Sequence, residues 1–189
     1  EAIEAGYLDS GYVLSVGSGT LNDLGKYVAN EHKVPTLSVA TAASMDGFVS
    51  TVAAMTLNNF KVTRICPAPI AVIADTDVFS KAPYRLTASG IGDIIGKYTA
   101  LSDWRISHTI WGEYLCENIF DIEHSAVVKV AENIDAIRAG KKEAYEDLMY
   151  ALVLSGLAMQ MMGNSRPASG AEHHLSHFWE LNIVNGHHN

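Results

Sequence analysis

Tyr12-Val13-Leu14-Ser15-Val16-Gly17-Ser18-Gly19-Thr20 is the stretch that decides the fold. Its first five residues read as a buried strand, and Gly17-Ser18-Gly19 stops it. Leu21, Leu24, Tyr27 and Val28 then recur at helical spacing, and His32-Lys33 close that helix at its negative end. Thr36-Leu37-Ser38-Val39-Ala40 follows as a second strand. Strand, glycine turn, helix and strand make a βαβ unit, which implies a parallel sheet with a right-handed crossover. Pro67 and Pro69 bracket a turn before a third strand over Ile70 to Ala74, closed by Asp75.

Past Pro83 the character changes. Helical periodicity dominates, and five helices are expected: Leu86 to Trp104, His108 to Phe120, Ser125 to Ile137, Lys141 to Met162 and Ser169 to Leu181. The fold class is therefore an α/β lobe with a Rossmann-like parallel sheet, residues 1–80, followed by an all-helical lobe, residues 81–189. Trp104, Trp111 and Trp179 are expected to be packing anchors.

Composition narrows the function. The 189 residues are 48% hydrophobic and 18% charged, which excludes a disordered chain. Thirteen basic residues against 21 acidic give a net charge of −8, which argues against nucleic-acid and membrane-surface binding but leaves room for a small anion at one local lysine. Cys66 and Cys116 lack metal-finger spacing and fit a reducing cytoplasm. No apolar run reaches the ~18–20 residues of a membrane span. The chain opens at Glu1 without methionine and reads like a piece of a longer protein. An all-helical lobe with much apolar surface also makes a homo-oligomer possible.

Four constellations carry chemistry. Gly17-Ser18-Gly19-Thr20 between strand and helix can bring backbone N–H groups to a phosphate, although residue 22 is Asn where the GxGxxG pattern has glycine. A tight turn without ligand is the plain alternative. Thr41-Ala42-Ala43-Ser44-Met45-Asp46-Gly47 lies at the C-terminal end of the next strand, the edge where open parallel sheets bind ligands. Taken alone it reads as helix capping by Ser44 or Asp46. In Ser89-Gly90-Ile91-Gly92-Asp93-Ile94-Ile95-Gly96-Lys97, Asp93 and Lys97 share one helical face. The apolar surroundings argue for a partly buried pair, and a carboxylate there needs the lysine or a cation. Finally, Glu172-His173-His174-Leu175-Ser176-His177 sets His173 and His177 one turn apart, suited to a metal or to a metal and a substrate group.

In this order the four motifs, with Asp103-Trp104 and Arg166-Pro167-Ala168-Ser169-Gly170-Ala171-Glu172-His173, resemble the iron-containing alcohol dehydrogenase and dehydroquinate synthase-like superfamily, and within it the sn-glycerol-1-phosphate dehydrogenases. The resemblance covers nearly the whole chain. It implies a dehydroquinate synthase-like fold whose nucleotide-binding sheet is incomplete here. It also implies NAD or NADP and one divalent metal ion (zinc, nickel or iron), with reduction of dihydroxyacetone phosphate to sn-glycerol 1-phosphate. Carried over residue by residue, Gly19, Thr20 and Asp23 match the turn beside the cofactor pyrophosphate, and Thr41, Ser44 and Ser50 match cofactor contacts. Asp46 matches a substrate contact, Asp93 and His173 metal ligands, and His177 a substrate-contacting histidine, with Asp93 also facing substrate. A third metal histidine is expected at His187, at His188 or past Asn189.

Lys97 is our own candidate for the substrate phosphate, reaching past Asp93 on its four-carbon stem. Glycerol or another alcohol is the alternative substrate within the superfamily, and Lys97 is the feature expected to separate the two. The carbocycle-forming lyase branch is disfavoured because Lys26, Lys33, Lys61 and Lys81 do not cluster. The remaining alternative is an inactive metal-binding fragment that acts by association.

Overall fold

The computed structural model describes residues 11–57 and 60–179. Strand β1 (Val13–Gly17) runs into helix α1 (Gly19–His32), then β2 (Thr36–Ala40), and β5 (Ala71–Ala74) completes a three-stranded parallel sheet in the order β1-β2-β5. Val13 lies opposite Thr36 and Gly17 opposite Ala40, while Leu37 to Ala40 pair with Ala71 to Ala74. β2 is central, with Thr36, Ser38 and Ala40 all buried, as a strand with neighbours on both edges should be. Both β1 and β2 therefore point their carboxyl ends at the same rim.

Between β2 and β5 lies an element that the sequence reading missed. A short 3₁₀ turn (Gly47–Val49) leads into β3 (Val52–Leu57) and β4 (Phe60–Ile65), which pair antiparallel as a separate two-stranded sheet. Two β-prone runs only two residues apart are a hairpin signal, so the information was present.

The helical part begins with α2 (Thr76–Phe79) and continues through α3 (Tyr84–Trp111), α4 (Glu117–Arg138), α5 (Lys142–Met162) and α6 (Ala171–Trp179). The expected helix over His108 to Phe120 does not exist. Its first half continues α3, its second half begins α4, and the break falls at Gly112, whose φ of 69° is the left-handed geometry of a helix stop. The Trp104 indole donates to the Tyr114 carbonyl at 2.9 Å and pins that corner. Trp104 is fully buried, as a packing anchor should be, whereas Trp111 and Trp179 are exposed. Leu181, the expected end of the last helix, lies outside the described residues.

The main core is built on α5. Leu148, Ala151 and Leu152 pack with Val127 and Val130 of α4, Ile94 of α3, and Ala43 and Phe48 from the segment after β2. That segment is thus clamped between sheet and helices. No helix among the described residues is long and apolar enough to cross a membrane.

Candidate functional site

The segment 41–50 leaves β2 without regular structure until the 3₁₀ turn, and two helices close on it where they lack a side chain. A Cβ on Gly90 of α3 would fall 2.1 Å from the Ala43 carbonyl oxygen, and one on Gly156 of α5 would fall 2.5 Å from that of Asp46. Only glycine permits these approaches. They bring Asp46 against α3.

There Asp46, Asp93 and Lys97 form one cluster. Lys97 Nζ donates to Asp93 Oδ1 at 2.7 Å and reaches Asp46 Oδ2 at 2.8 Å, with no exposure of its side chain. The backbone N–H of Asp46 donates to Asp93 Oδ2 at 2.8 Å, and the Ser155 hydroxyl of α5 donates to Asp46 Oδ2 at 2.9 Å. Asp46 stands at the start of the 3₁₀ turn but makes no side-chain cap there, so the capping expectation gives way to this cluster. Burial works against the charge on Lys97, yet the two carboxylates outweigh it and hold the ammonium pKa above its ordinary value. Burial, helped by Asp46, raises the pKa of Asp93 although Lys97 opposes the shift.

The Lys97 ammonium is enclosed between the two carboxylates. It holds the two acids in place.

A third acid escaped the sequence reading. Glu123 of α4 is fully buried, and neither carboxylate oxygen has a hydrogen-bond partner among the described residues. Burial raises its pKa to about 7, against lowering by Ser155 and Lys97. Ser155 cannot fully satisfy it, because its one proton is donated to Asp46. Glu123 fell in the gap between two helices that turned out to be one, so no periodicity placed it inward.

His173 lies on α6, whose first turn is tied to α3 by Ala171 N–H donating to Asp103 Oδ2 at 2.7 Å. Its Nδ1 sits 2.7 Å from Glu172 Oε1, which also accepts from the Gly170 N–H at 2.9 Å. Burial works against the Glu172 charge, but these two bonds prevail and its pKa is lowered. A carboxylate on Nδ1 leaves Nε2 as the ligating nitrogen, the usual support for a metal-bound imidazole. His177 follows one turn later on the exposed side of α6. Among the described residues no three His, Cys, Asp or Glu side chains gather for a metal. His187 and His188, the expected third donors, lie outside those residues.

The cofactor candidates divide. Gly19 and Thr20 open α1, where the Ser18 side chain makes no cap bond, so the first-turn N–H groups stay available. Thr41 N–H donates to Gly17 O at 3.1 Å, which sets Thr41 beside that turn. Asp23 and Ser50 are both engaged with Lys26. Asp23 Oδ1 pairs with Lys26 at 2.8 Å and its Oδ2 accepts from Ala54 N–H at 3.2 Å. The Ser50 hydroxyl is buried, 3.1 Å from both Lys26 Nζ and Gly47 O.

A model of the iron-containing alcohol dehydrogenases matches residues 2–83. A glycerol-1-phosphate dehydrogenase [NAD(P)+] of Geobacillus thermodenitrificans is 42% identical over 171 residues, 90% of this chain and 42% of that protein. One of Methanosarcina mazei is 42% identical over 166 residues, 88% of this chain and 47% of its own. The chain therefore spans less than half the length of these curated relatives. In fold, the iron-containing alcohol dehydrogenase of Thermococcus thioreducens superimposes with a TM-score of 0.71 at 14% identity, covering 87% of this chain and 48% of that one. Over residues 2–83 the chain is thus similar in sequence to the iron-containing alcohol dehydrogenases, and the described residues share their fold.

Proposed function

We propose that this chain forms part of an NAD(P)-dependent, metal-assisted oxidoreductase that interconverts dihydroxyacetone phosphate and sn-glycerol 1-phosphate. One observation carries the reading: the Asp46–Asp93–Lys97 cluster occurs in a chain 42% identical over 90% of its length to a glycerol-1-phosphate dehydrogenase. The phosphate preference rests on that likeness alone, since Lys97 is enclosed.

Asp93 and His173 would hold a divalent cation, with the third donor at His187, at His188 or past Asn189. One carboxylate and imidazoles suit zinc, nickel or iron alike. When bound, the cation would polarise the substrate carbonyl while a reduced nicotinamide supplies hydride.

The remaining work belongs to the chain itself. The open N–H groups at Gly19 and Thr20 complement a pyrophosphate at the positive end of α1, and Thr41 and Ser44 flank it. Lys97 and the Asp46 N–H hold the Asp93 carboxylate in one orientation, which spares that reorganisation during the reaction. Asp46 orients a substrate hydroxyl. His177 donates a hydrogen bond, or a proton, to the substrate oxygen. The two cysteines are free, which fits a cytoplasmic setting.

The test is NADH and NADPH oxidation by the full-length protein carrying this chain, with dihydroxyacetone phosphate or dihydroxyacetone as acceptor. Phosphate-dependent turnover that chelator abolishes is expected. Faster turnover of the unphosphorylated ketone would replace this reading with a glycerol dehydrogenase.

A further inference from the structure

Asn22 occupies the place where a nucleotide-binding turn of the GxGxxG type carries its third glycine, whose usual task is close helix-to-strand packing. Here that task has moved. A Cβ on Gly25 would fall 1.6 Å from Ser15 Oγ, so the close approach of α1 to the sheet occurs three residues later. Position 22 is thereby free to carry a side chain, and it carries a fully engaged one. Asn22 is 1% exposed, its Oδ1 accepts from the Ser38 hydroxyl at 2.7 Å, and its Nδ2 donates to the Gly47 carbonyl at 3.1 Å.

One turn on, Lys26 aims at the same carbonyl. Its ammonium is fully buried and donates to Gly47 O at 2.9 Å, to Ser50 Oγ at 3.1 Å and to Val52 O, with Asp23 Oδ1 at 2.8 Å. A buried ammonium surrounded in this way tolerates little relative movement, because any slip leaves a desolvated charge short of partners. Gly47 is covalently joined to Asp46, whose N–H lies on Asp93. The route from the glycine turn to the acidic cluster is therefore one rigid helix followed by buried hydrogen bonds.

We propose that Asn22 and Lys26 are positioning residues: through the Gly47 carbonyl they fix Asp46, so that a dinucleotide at the Gly17–Thr20 turn and a divalent cation at Asp93 bind cooperatively. This rests on the NAD(P)-and-metal reading above and adds a coupling between its two sites. Both side chains are buried and bonded to protein groups, so they act through Gly47. Coupling of this kind is a property of the pair of sites and is read as a ratio of affinities.

The experiment measures NADH affinity by nicotinamide fluorescence, with Zn²⁺ and in chelator, on the full-length protein carrying this chain. For the unaltered protein the two dissociation constants should differ at least about five-fold. In Lys26→Met and Asn22→Ala the ratio should fall to within about two-fold of one, while circular dichroism confirms a folded chain. Ser38→Ala, which only releases Asn22 Oδ1, is the milder variant and should lower the ratio part-way even if the others fail to fold. A purely structural role would lower the melting temperature and leave the ratio alone. An undiminished ratio in folded variants, or a ratio of one in the unaltered protein, overturns the coupling. Binding of both ligands with no coupling leaves the oxidoreductase reading standing, whereas failure to bind either takes both down.

Discussion

Glu123→Gln isolates the energetics of the buried acid cluster. Glu123 is enclosed, its two oxygens lack partners among the described residues, and burial lifts its pKa from 4.5 to about 7. The raised value means that the folded chain holds this proton more tightly than the unfolded chain does. The associated stability is complete below about pH 4.5 and is lost as pH rises through about 7. The gap is about 2.5 units, or about 3 kcal/mol at ~1.4 kcal/mol per unit. Gln has nearly the same shape and does not titrate, so it escapes that loss. The variant should be neutral or slightly destabilised near pH 5 and should gain about 3 kcal/mol on the unaltered chain by about pH 8.5. Urea unfolding across this range, in chelator, gives the difference directly. A difference that stays flat with pH would refute a neutral, buried Glu123 and point to an ionised partner for Lys97.

Lys97→Met leaves Asp46 and Asp93 facing each other without their cation, and should cost roughly 3–5 kcal/mol in urea unfolding at neutral pH. Gly90→Ala forces a methyl to within 2.1 Å of the Ala43 carbonyl oxygen, and should cost about 1–3 kcal/mol or more in thermal melts. The neighbouring Gly92→Ala meets nothing within 4 Å and should be neutral or stabilising by up to about 1 kcal/mol in the same melts. Glu172→Gln weakens the carboxylate support of His173, and calorimetric Zn²⁺ titration should show affinity lower by about 10–100-fold.

The sheet was legible because its strands are short apolar runs around a glycine turn, and burial of β2 between two neighbours matches that pattern. The helical part was legible in content but not in its joints. Gly90, Gly92 and Gly96 all lie inside α3, where propensity alone disfavours them; close packing against Ala43 accounts for Gly90. The helix instead ends at Gly112, and splitting the next stretch wrongly left Glu123 between helices. In the site, the four-residue spacing of Asp93 and Lys97 brought that pair to light. Asp46 joined it only through the chain's return from β2, a contact 47 residues distant from Asp93 in sequence. Local patterns contain no record of such a contact, so the pairing of Lys97 with a second carboxylate was not legible.

The segment 41–50 accounts for the small residues around it better than any ligand does. Its carbonyls receive Asn22, Lys26 and Ser50 at Gly47, and Gln160 at Val49. Its neighbours Gly90 on α3 and Gly156 on α5 are glycines because an added Cβ would collide with its backbone carbonyls, and at Gly156 with the Val49 side chain as well. A backbone held by so many buried donors has few alternative positions, since each lost bond leaves a desolvated polar group that costs about 1–3 kcal/mol. Rigidity of this kind is what a reaction at the Asp46–Asp93 cluster requires, because carboxylates already fixed in place need no reorganisation when charge develops beside them. It follows that substitutions at Asn22, Lys26 or Gly156 should harm the site more than exposed changes much nearer to it in sequence.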